Sequence, residues 1–431
     1  MKRDIYKQLM TWKESTLRKP LILKGARQVG KTFILQDFGK RQYNDVAYFN
    51  FEEDPELNAF FTGRLVPDKI IQLLSIYREK QIIPGKTLII FDEVQNSPET
   101  LTSLKYFFEK APEHHITAAG SLLGVKVGQS APFPVGKVNF LNLYPMTFAE
   151  FLNAVGKDRL RSFIEDNNFQ PIAASFHTEL IDLLKIYYFV GGMPEAIAQY
   201  VTNKDLHIVR KIQEEILEAY AIDFSKYTTK TEAIRLAATW TSIPNQLARE
   251  NKRFTYAEIK KSARARDYAE SIQWLVDAGL VIKVHNTHTP KLPLAAYQDD
   301  NFKLYLLDVG LLGAMIKVSQ RTIIKVNKLF SEYNGAFVEN YAAQELIAHG
   351  QKELHYWTSK GQAEVDFVVA LRDQVMPLEV KAGVSKQKKS LRVYGDRYNS
   401  PILSRSTLMN FKEDGKIRNY PLYALWLFLR R

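Results

Sequence analysis

Pro20-Leu21-Ile22-Leu23-Lys24-Gly25-Ala26-Arg27-Gln28-Val29-Gly30-Lys31-Thr32-Phe33 decides how the first part of this chain folds. The opening apolar run has the length of a buried strand, and Phe33 to Phe38 carries helical spacing. Between them lies Gly-x-x-x-x-Gly-Lys-Thr, from Gly25 to Thr32. Glycines at those two points let backbone N–H groups turn inward, and the helix that follows adds the positive end of its dipole. A loop of this kind between strand and helix cradles phosphates. Gly25, Ala26, Arg27, Gln28, Val29 and Gly30 would wrap a nucleotide, Lys31 would reach its β- and γ-phosphates, and Thr32 would offer its hydroxyl to Mg²⁺.

Two further strands fit the same site. Thr87-Leu88-Ile89-Ile90-Phe91 is apolar throughout, as a strand covered on both faces must be, and it runs into Asp92-Glu93. A carboxylate at the C-terminal end of such a strand lies where parallel sheets collect ligands. Asp92 is thus the expected Mg²⁺ partner, and Glu93 the group that polarises an attacking water. His115 to Ala119 is a third strand, and the following Ser121 is a candidate γ-phosphate contact, although Gly120-Ser121 is also ordinary turn chemistry.

The chain has 431 residues, room for two to four domains, and no Cys, which removes disulfides, thiolate nucleophiles and sulfur-ligated metals. The first residues, Met1-Lys2-Arg3-Asp4, carry charge where a signal peptide needs apolar residues, and no run approaches a membrane span. The expectation is a cytoplasmic protein without a membrane partner. The net charge is +12. Residues 291–431 hold 21 Lys and Arg against 14 Asp and Glu, more than half of that excess. Clustered positive charge suits a nucleic-acid partner, DNA before RNA, while a merely basic surface is the alternative.

Lys24 to Thr32, Ile90-Phe91-Asp92-Glu93-Val94-Gln95, Gly120-Ser121 and Leu143-Tyr144-Pro145-Met146-Thr147-Phe148-Ala149-Glu150-Phe151 resemble a family of AAA-type ATPases of bacteria and archaea. The C-terminal part of that family is a domain of unknown function. Tyr188-Phe189-Val190-Gly191-Gly192-Met193-Pro194-Glu195 and Leu304-Tyr305-Leu306-Leu307-Asp308-Val309-Gly310-Leu311-Leu312 extend the likeness over nearly the whole chain. The resemblance implies a phosphate-loop ATPase converting ATP to ADP and phosphate with Mg²⁺, and it allows a homo-oligomer in which a neighbour's arginine assists. Lys137 stands where the family has arginine, and lysine lacks the bidentate fork.

The expected architecture is multidomain α/β. Residues 1–155 form the parallel-sheet ATPase domain, 156–229 a helical lid or connector, 230–290 a winged-helix-like middle, and 291–431 a restriction-endonuclease-like α/β domain. The middle rests on a helix from Ala233 to Pro244, a capping-box-like Thr255-x-x-Glu258, and a helix from Arg266 to Ala278 running into apolar strand residues. Lys260, Lys261, Arg264 and Arg266 stand where such a domain meets a DNA groove, or where a protein-binding winged helix keeps a solvated face.

Ala363 to Leu371 and Val375 to Lys381 alternate in polarity around a short polar turn, the pattern of a β-hairpin. Only one register gathers Val365, Phe367, Val369, Met376, Leu378 and Val380 on one face, pairing 367 with 378. It leaves Asp366 opposite Glu379, and Glu364 opposite Lys381. The arrangement resembles the PD-(D/E)xK nuclease core, to which the helix beginning at Gly335 would add Glu339. Glu339, Asp366 and Glu379 are then candidate ligands of a second Mg²⁺ or of Mn²⁺, with Lys381 as a catalytic group. A core that binds nucleic acid without cutting it, and a plain solvated hairpin, are the other readings.

Overall fold

The computed structural model describes residues 1–120, 134–226, 228–319, 335–359, 363–383 and 389–430. Contacts divide the chain into two compact units, Met1–Tyr144 with Asp277–Gly279, and Pro145–Val276 with Leu280–Arg431.

The first unit contains α1 (Ile5–Glu14), β1 (Leu21–Lys24), α2 (Lys31–Gln42), β2 (Asp45–Asn50), α3 (Pro67–Tyr77), β3 (Thr87–Asp92), α4 (Pro98–Lys110), β4 (His115–Ala119) and β5 (Asn139–Asn142). Its five strands are all parallel, in the order β2-β3-β4-β1-β5. The apolar strands predicted from the sequence are therefore central, with β3 and β4 buried at every position. Ile22, Phe49, Phe51, Ile89, Phe91 and Phe107 pack one continuous core beside this sheet. The β1–α2 loop and the end of β3 consequently emerge at the same edge, the place where a doubly wound sheet binds ligands.

The second unit opens with α5 (Phe148–Ala154), α6 (Asp158–Glu165), α7 (Ala174–Val190), α8 (Pro194–Asn203), α9 (Leu206–Lys226), α10 (Lys230–Leu247) and α11 (Ala265–Asp277). The helical run expected after residue 148 is present. Then come β6 (Val281–Thr287), β7 (Gln298–Leu306), α12 (Val309–Met315), α13 (Ala336–Ala348), β8 (Leu354–Thr358), β9 (Glu364–Leu371), β10 (Gln374–Val380), α14 (Lys389–Tyr398), β11 (Leu403–Thr407), β12 (Lys412–Asp414) and β13 (Ile417–Pro421). Eight strands make one mixed sheet, in the order β12-β13-β11-β10-β9-β8-β6-β7.

Three expectations meet a different arrangement here. The hairpin read as a wing, β6–β7, is the edge of the eight-stranded sheet, because β6 pairs in parallel with β8. The anticipated boundary between 290 and 291 thus falls inside a hairpin. Thr255 makes no side-chain cap, and Tyr256–Glu258 is a short 3-10 turn rather than a helix. Tyr423 to Leu429, the most apolar stretch of the sequence and of strand length, lies within a 3-10 helical segment, Leu422–Arg430, that is buried from Leu422 to Phe428. By contrast, β9 and β10 pair in the anticipated register, Leu378 opposite Phe367 and Met376 opposite Val369.

A buried lock explains two of the motifs that carried the family resemblance. Gly191 ends α7 with φ 72°, and a Cβ there would overlap the Asp308 carboxylate. Asp308 is wholly buried and accepts hydrogen bonds from Gly192 N–H at 2.5 Å and Leu311 N–H at 2.9 Å. Burial raises its pKa to about 6. The folded value lies above the unfolded one near 3.8, so the stabilisation from a neutral Asp308 is full below pH ~4 and lost as pH rises through ~6. Asp308→Asn should flatten the wild-type decline of about 2–3 kcal/mol between those limits, as read by denaturant unfolding at a series of pH values. An unchanged slope would show that Asp308 titrates alike in both states.

Candidate nucleotide site and the C-terminal charge cluster

Gly25 must be glycine for a local reason. A Cβ there would overlap the Leu143 carbonyl oxygen, because β5 runs alongside β1 and Leu143 N–H donates to Lys24 O at 2.7 Å. Gly30 N-caps α2 at φ 92°, and Gln28 takes φ 63°, so the loop folds through left-handed backbone that turns N–H groups toward one centre. A Gly25→Ala protein should lose both nucleotide binding and stability, since the clash is with the Leu143 backbone beside β1, as calorimetric titration and thermal unfolding would show.

Lys31 is buried at the start of α2 and donates from Nζ to Gly25 O at 3.0 Å and Ala26 O at 2.8 Å. Burial lowers its pKa to about 8, against the pull of Glu93 and Asp92. Phosphate would restore the charged form. Binding of ATP at pH 8 should therefore take up a fraction of a proton, visible as a heat that varies with the buffer's ionisation enthalpy and fades at pH 6.5.

Thr32 Oγ1 donates to Asp92 Oδ2 at 2.6 Å, and Tyr48 Oη donates to the same oxygen at 2.9 Å. This hydroxyl and carboxylate are the oxygen donors that suit Mg²⁺ beside a triphosphate, so the residues fit the ion. Glu93 follows at φ 49°, a left-handed conformation costly for a non-glycine residue, and Gln95 donates to its Oε2. Two non-glycine residues in left-handed backbone thus mark the site, Gln28 within the loop and Glu93 after β3. Ser121 lies outside the described residues. Lys137 forms an ion pair with Glu109 at 3.0 Å.

Arg3 and Tyr48 had no sequence signal. Arg3 donates to Val29 O at 3.0 Å and Tyr144 O at 2.6 Å, bracing the loop from the amino-terminal segment. Tyr48 lies on β2, next to β3, where parallel pairing sets Tyr48 against Ile90. Alternation along β2 could have placed it on the face of Asp92, once the strand order was known.

In the second unit, Glu339 on α13 and Asp366 and Glu379 on the hairpin are all buried. Their neighbours differ from those expected. Glu339 Oε1 accepts from Lys252 Nζ at 2.5 Å, and its Oε2 accepts from Tyr305 Oη at 2.7 Å with Lys303 Nζ at 3.6 Å. Lys303 also donates to Glu364. Asp366 Oδ2 accepts from Val380 N–H at 2.7 Å and meets Lys381 Nζ at 3.5 Å, which lies 3.6 Å from Glu379 Oε1. Burial would raise Glu339 and lower Lys303, yet their mutual attraction wins and shifts each toward its charged form. Glu379 is held above the usual carboxylate range by burial, and Asp366 raises Lys381. Among the described residues, no group of three or more His, Cys, Asp or Glu is placed to hold a metal ion.

Sequence reasoning missed Lys252, Lys303 and Tyr305. One signal existed, since Lys303 and Tyr305 alternate inside the apolar run Phe302 to Leu307 and must share a face.

The first unit is a parallel-sheet, phosphate-loop domain with the strand–loop–helix and carboxylate of a nucleotide site. Residues 17–152 match the family described as AAA domain, and this part of the chain is an ATPase-like AAA domain. Residues 181–322 match a domain of unknown function (DUF8612), and residues 334–424 another (DUF4143). Comparison with curated proteins gave no match. Among solved structures, a Walker-type ATPase of Pyrococcus abyssi is 12% identical, covering 73% of this chain and 95% of its own, with a TM-score of 0.45. The Orc1 protein of Aeropyrum pernix in complex with DNA is 11% identical, covering 73% and 90%, with a TM-score of 0.31. A RuvB mutant of Thermotoga maritima is 13% identical, covering 67% and 89%, with a TM-score of 0.33. No helix among the described residues is long and apolar enough to cross a membrane.

Proposed function

We propose that this protein is a Mg²⁺-dependent ATPase whose nucleotide state governs nucleic-acid binding, to DNA rather than RNA, by its second unit. The observation that carries the ATPase reading is the meeting of Lys31, Thr32 and Asp92 at one loop, with Glu93 strained beside them. The loop N–H groups and Lys31 hold the phosphates, and Thr32 and Asp92 hold Mg²⁺, which when bound neutralises charge on the phosphate oxygens. Glu93 orients water and accepts its proton. Glu93→Gln should keep ATP binding and lose about 10²–10⁴-fold in hydrolysis, by phosphate release in single turnover. Undiminished turnover would remove Glu93 from the chemistry. Because every copy carries Lys137 at that position, a different arginine of a neighbouring copy supplies the stabilising charge, and light scattering should show ATP-dependent self-association.

The nucleic-acid reading is supported by exposed Arg253, Lys260, Lys261, Arg264 and Arg266 around the entry to α11. Binding without cleavage is the better reading of the C-terminal domain, because its carboxylates are already paired with lysines. Replacing Lys260, Lys261 and Arg264 together by Ala should reduce the slope of log affinity against log salt by about 2–3. Unchanged affinity and slope would leave the basic segment as a solvated face.

A further inference from the structure

We infer that the C-terminal carboxylate cluster is a lysine-neutralised centre that works without a divalent cation, Lys252 and Lys303 taking the place over Glu339 that a metal would need. This extends the reading of that domain as binding without cleavage. Among the described residues the charges balance. Glu339, Glu364, Asp366 and Glu379 supply four negative charges, and Lys252, Lys303, Lys381 and Arg405 supply four positive ones. Arg405 on β11 stands in register with Glu379 on β10. A dication added beside Glu339, whose lysine partners are buried with it, would bring uncompensated positive charge to where solvation is weakest.

The oxygen count agrees with the charge count. Both oxygens of Glu339 are engaged, one by Lys252 and the other by Tyr305 and Lys303. Asp366 Oδ2 serves the Val380 N–H and Lys381. Mg²⁺ is held by one or two carboxylates with water completing its shell, and among the described residues Glu379 Oε2 is the one oxygen of these carboxylates that is buried without a partner. To ligate through Glu339, a metal would have to expel an ammonium group that is itself buried, Lys303 being 1% exposed and Lys252 8%.

The lysines come from elements remote from the hairpin. Lys303 lies on β7, and Lys252 lies in the segment after α10. Neutralisation therefore links three parts of the unit: α13, the edge hairpin and the loop that precedes the basic segment. A metal-loaded core would need none of these links.

The test uses Mn²⁺ alone, on the full chain carrying Asp92→Asn to silence the first unit, without nucleotide. Free Mn²⁺ is read by electron paramagnetic resonance, and melting is followed with Mn²⁺ or with EDTA. The expected result is no stoichiometric binding and the same melting temperature in both. One Mn²⁺ per chain, lost on adding Asp366→Asn, would overturn the inference. Lys303→Met in the same background leaves the acids one charge in excess, and it should gain Mn²⁺ binding together with a Mn²⁺-dependent rise in melting temperature. If that variant folds and gains neither, the lysine does not stand in for a cation and the inference fails. If it does not fold, the titration of the Asp92→Asn chain decides. Nucleic-acid binding is not read in this experiment, so the two readings fail separately.

Discussion

Lys31→Ala is expected to lose ATP binding by a hundredfold or more while the first unit stays folded. Two charge-assisted hydrogen bonds to phosphate, at about 1.5–3 kcal/mol each, total about 3–6 kcal/mol, and each 1.4 kcal/mol is roughly tenfold in affinity. Stability should change little, because in the unliganded fold the Lys31 ammonium satisfies only the carbonyls of Gly25 and Ala26, against the cost of its burial. Truncation removes that cost together with the bonds. Isothermal titration with ATP and Mg²⁺ gives the affinity, and thermal unfolding gives the stability. Tight binding by Lys31→Ala would sink the phosphate-loop assignment, since no other Lys is placed by the motif to reach the β- and γ-phosphates.

Lys303→Met, in the otherwise wild-type chain, is expected to destabilise the second unit by about 3–5 kcal/mol, the usual result of stripping one partner from a buried pair. On a unit of this size that is a fall of roughly 6–20 °C in its calorimetric transition. The cost arises on the acid side. Glu339 is wholly buried and loses one of its two ammonium partners, and Glu364 loses its lysine. Adding Glu339→Leu should restore part of the loss, because the charge left without Lys303 is then gone, and the double-mutant cycle should show strong coupling. Additive losses would mean that Lys303 and Glu339 do not act on each other in the folded protein.

The two sites were legible in the sequence to different degrees. The phosphate loop is a local object. Strand, glycines, lysine and helix follow one another within thirteen residues, and β3 signals its carboxylate by its own apolar run. The hairpin register was legible for a related reason, since two adjacent strands of alternating polarity have one pairing that buries both apolar sets. What joins distant segments was not. That β6–β7 extends the C-terminal sheet depends on β6 finding β8, some seventy residues away, and hairpin patterning is silent on which sheet a hairpin joins. Lys252 reaches Glu339 across 87 residues, and a lone lysine in a polar loop reads as surface until the fold buries it. The glycines at 191 and 192 stand at a helix end, yet the reason for Gly191 is the Asp308 carboxylate, over a hundred residues later, and the reason for Gly192 is the Met146 backbone.

The proposed function couples nucleotide at the Lys31 loop to nucleic-acid affinity in the second unit. The direct measurement is fluorescence anisotropy of a labelled DNA duplex at fixed salt, titrated with wild-type protein holding a non-hydrolysable ATP analogue and Mg²⁺, with ADP, or with neither. Coupling of about 1–3 kcal/mol would separate these affinities by roughly 5–150-fold in the wild type, and the separation should vanish in Lys31→Ala. Equal affinity in all three nucleotide states, or an equal spread in Lys31→Ala, would contradict it.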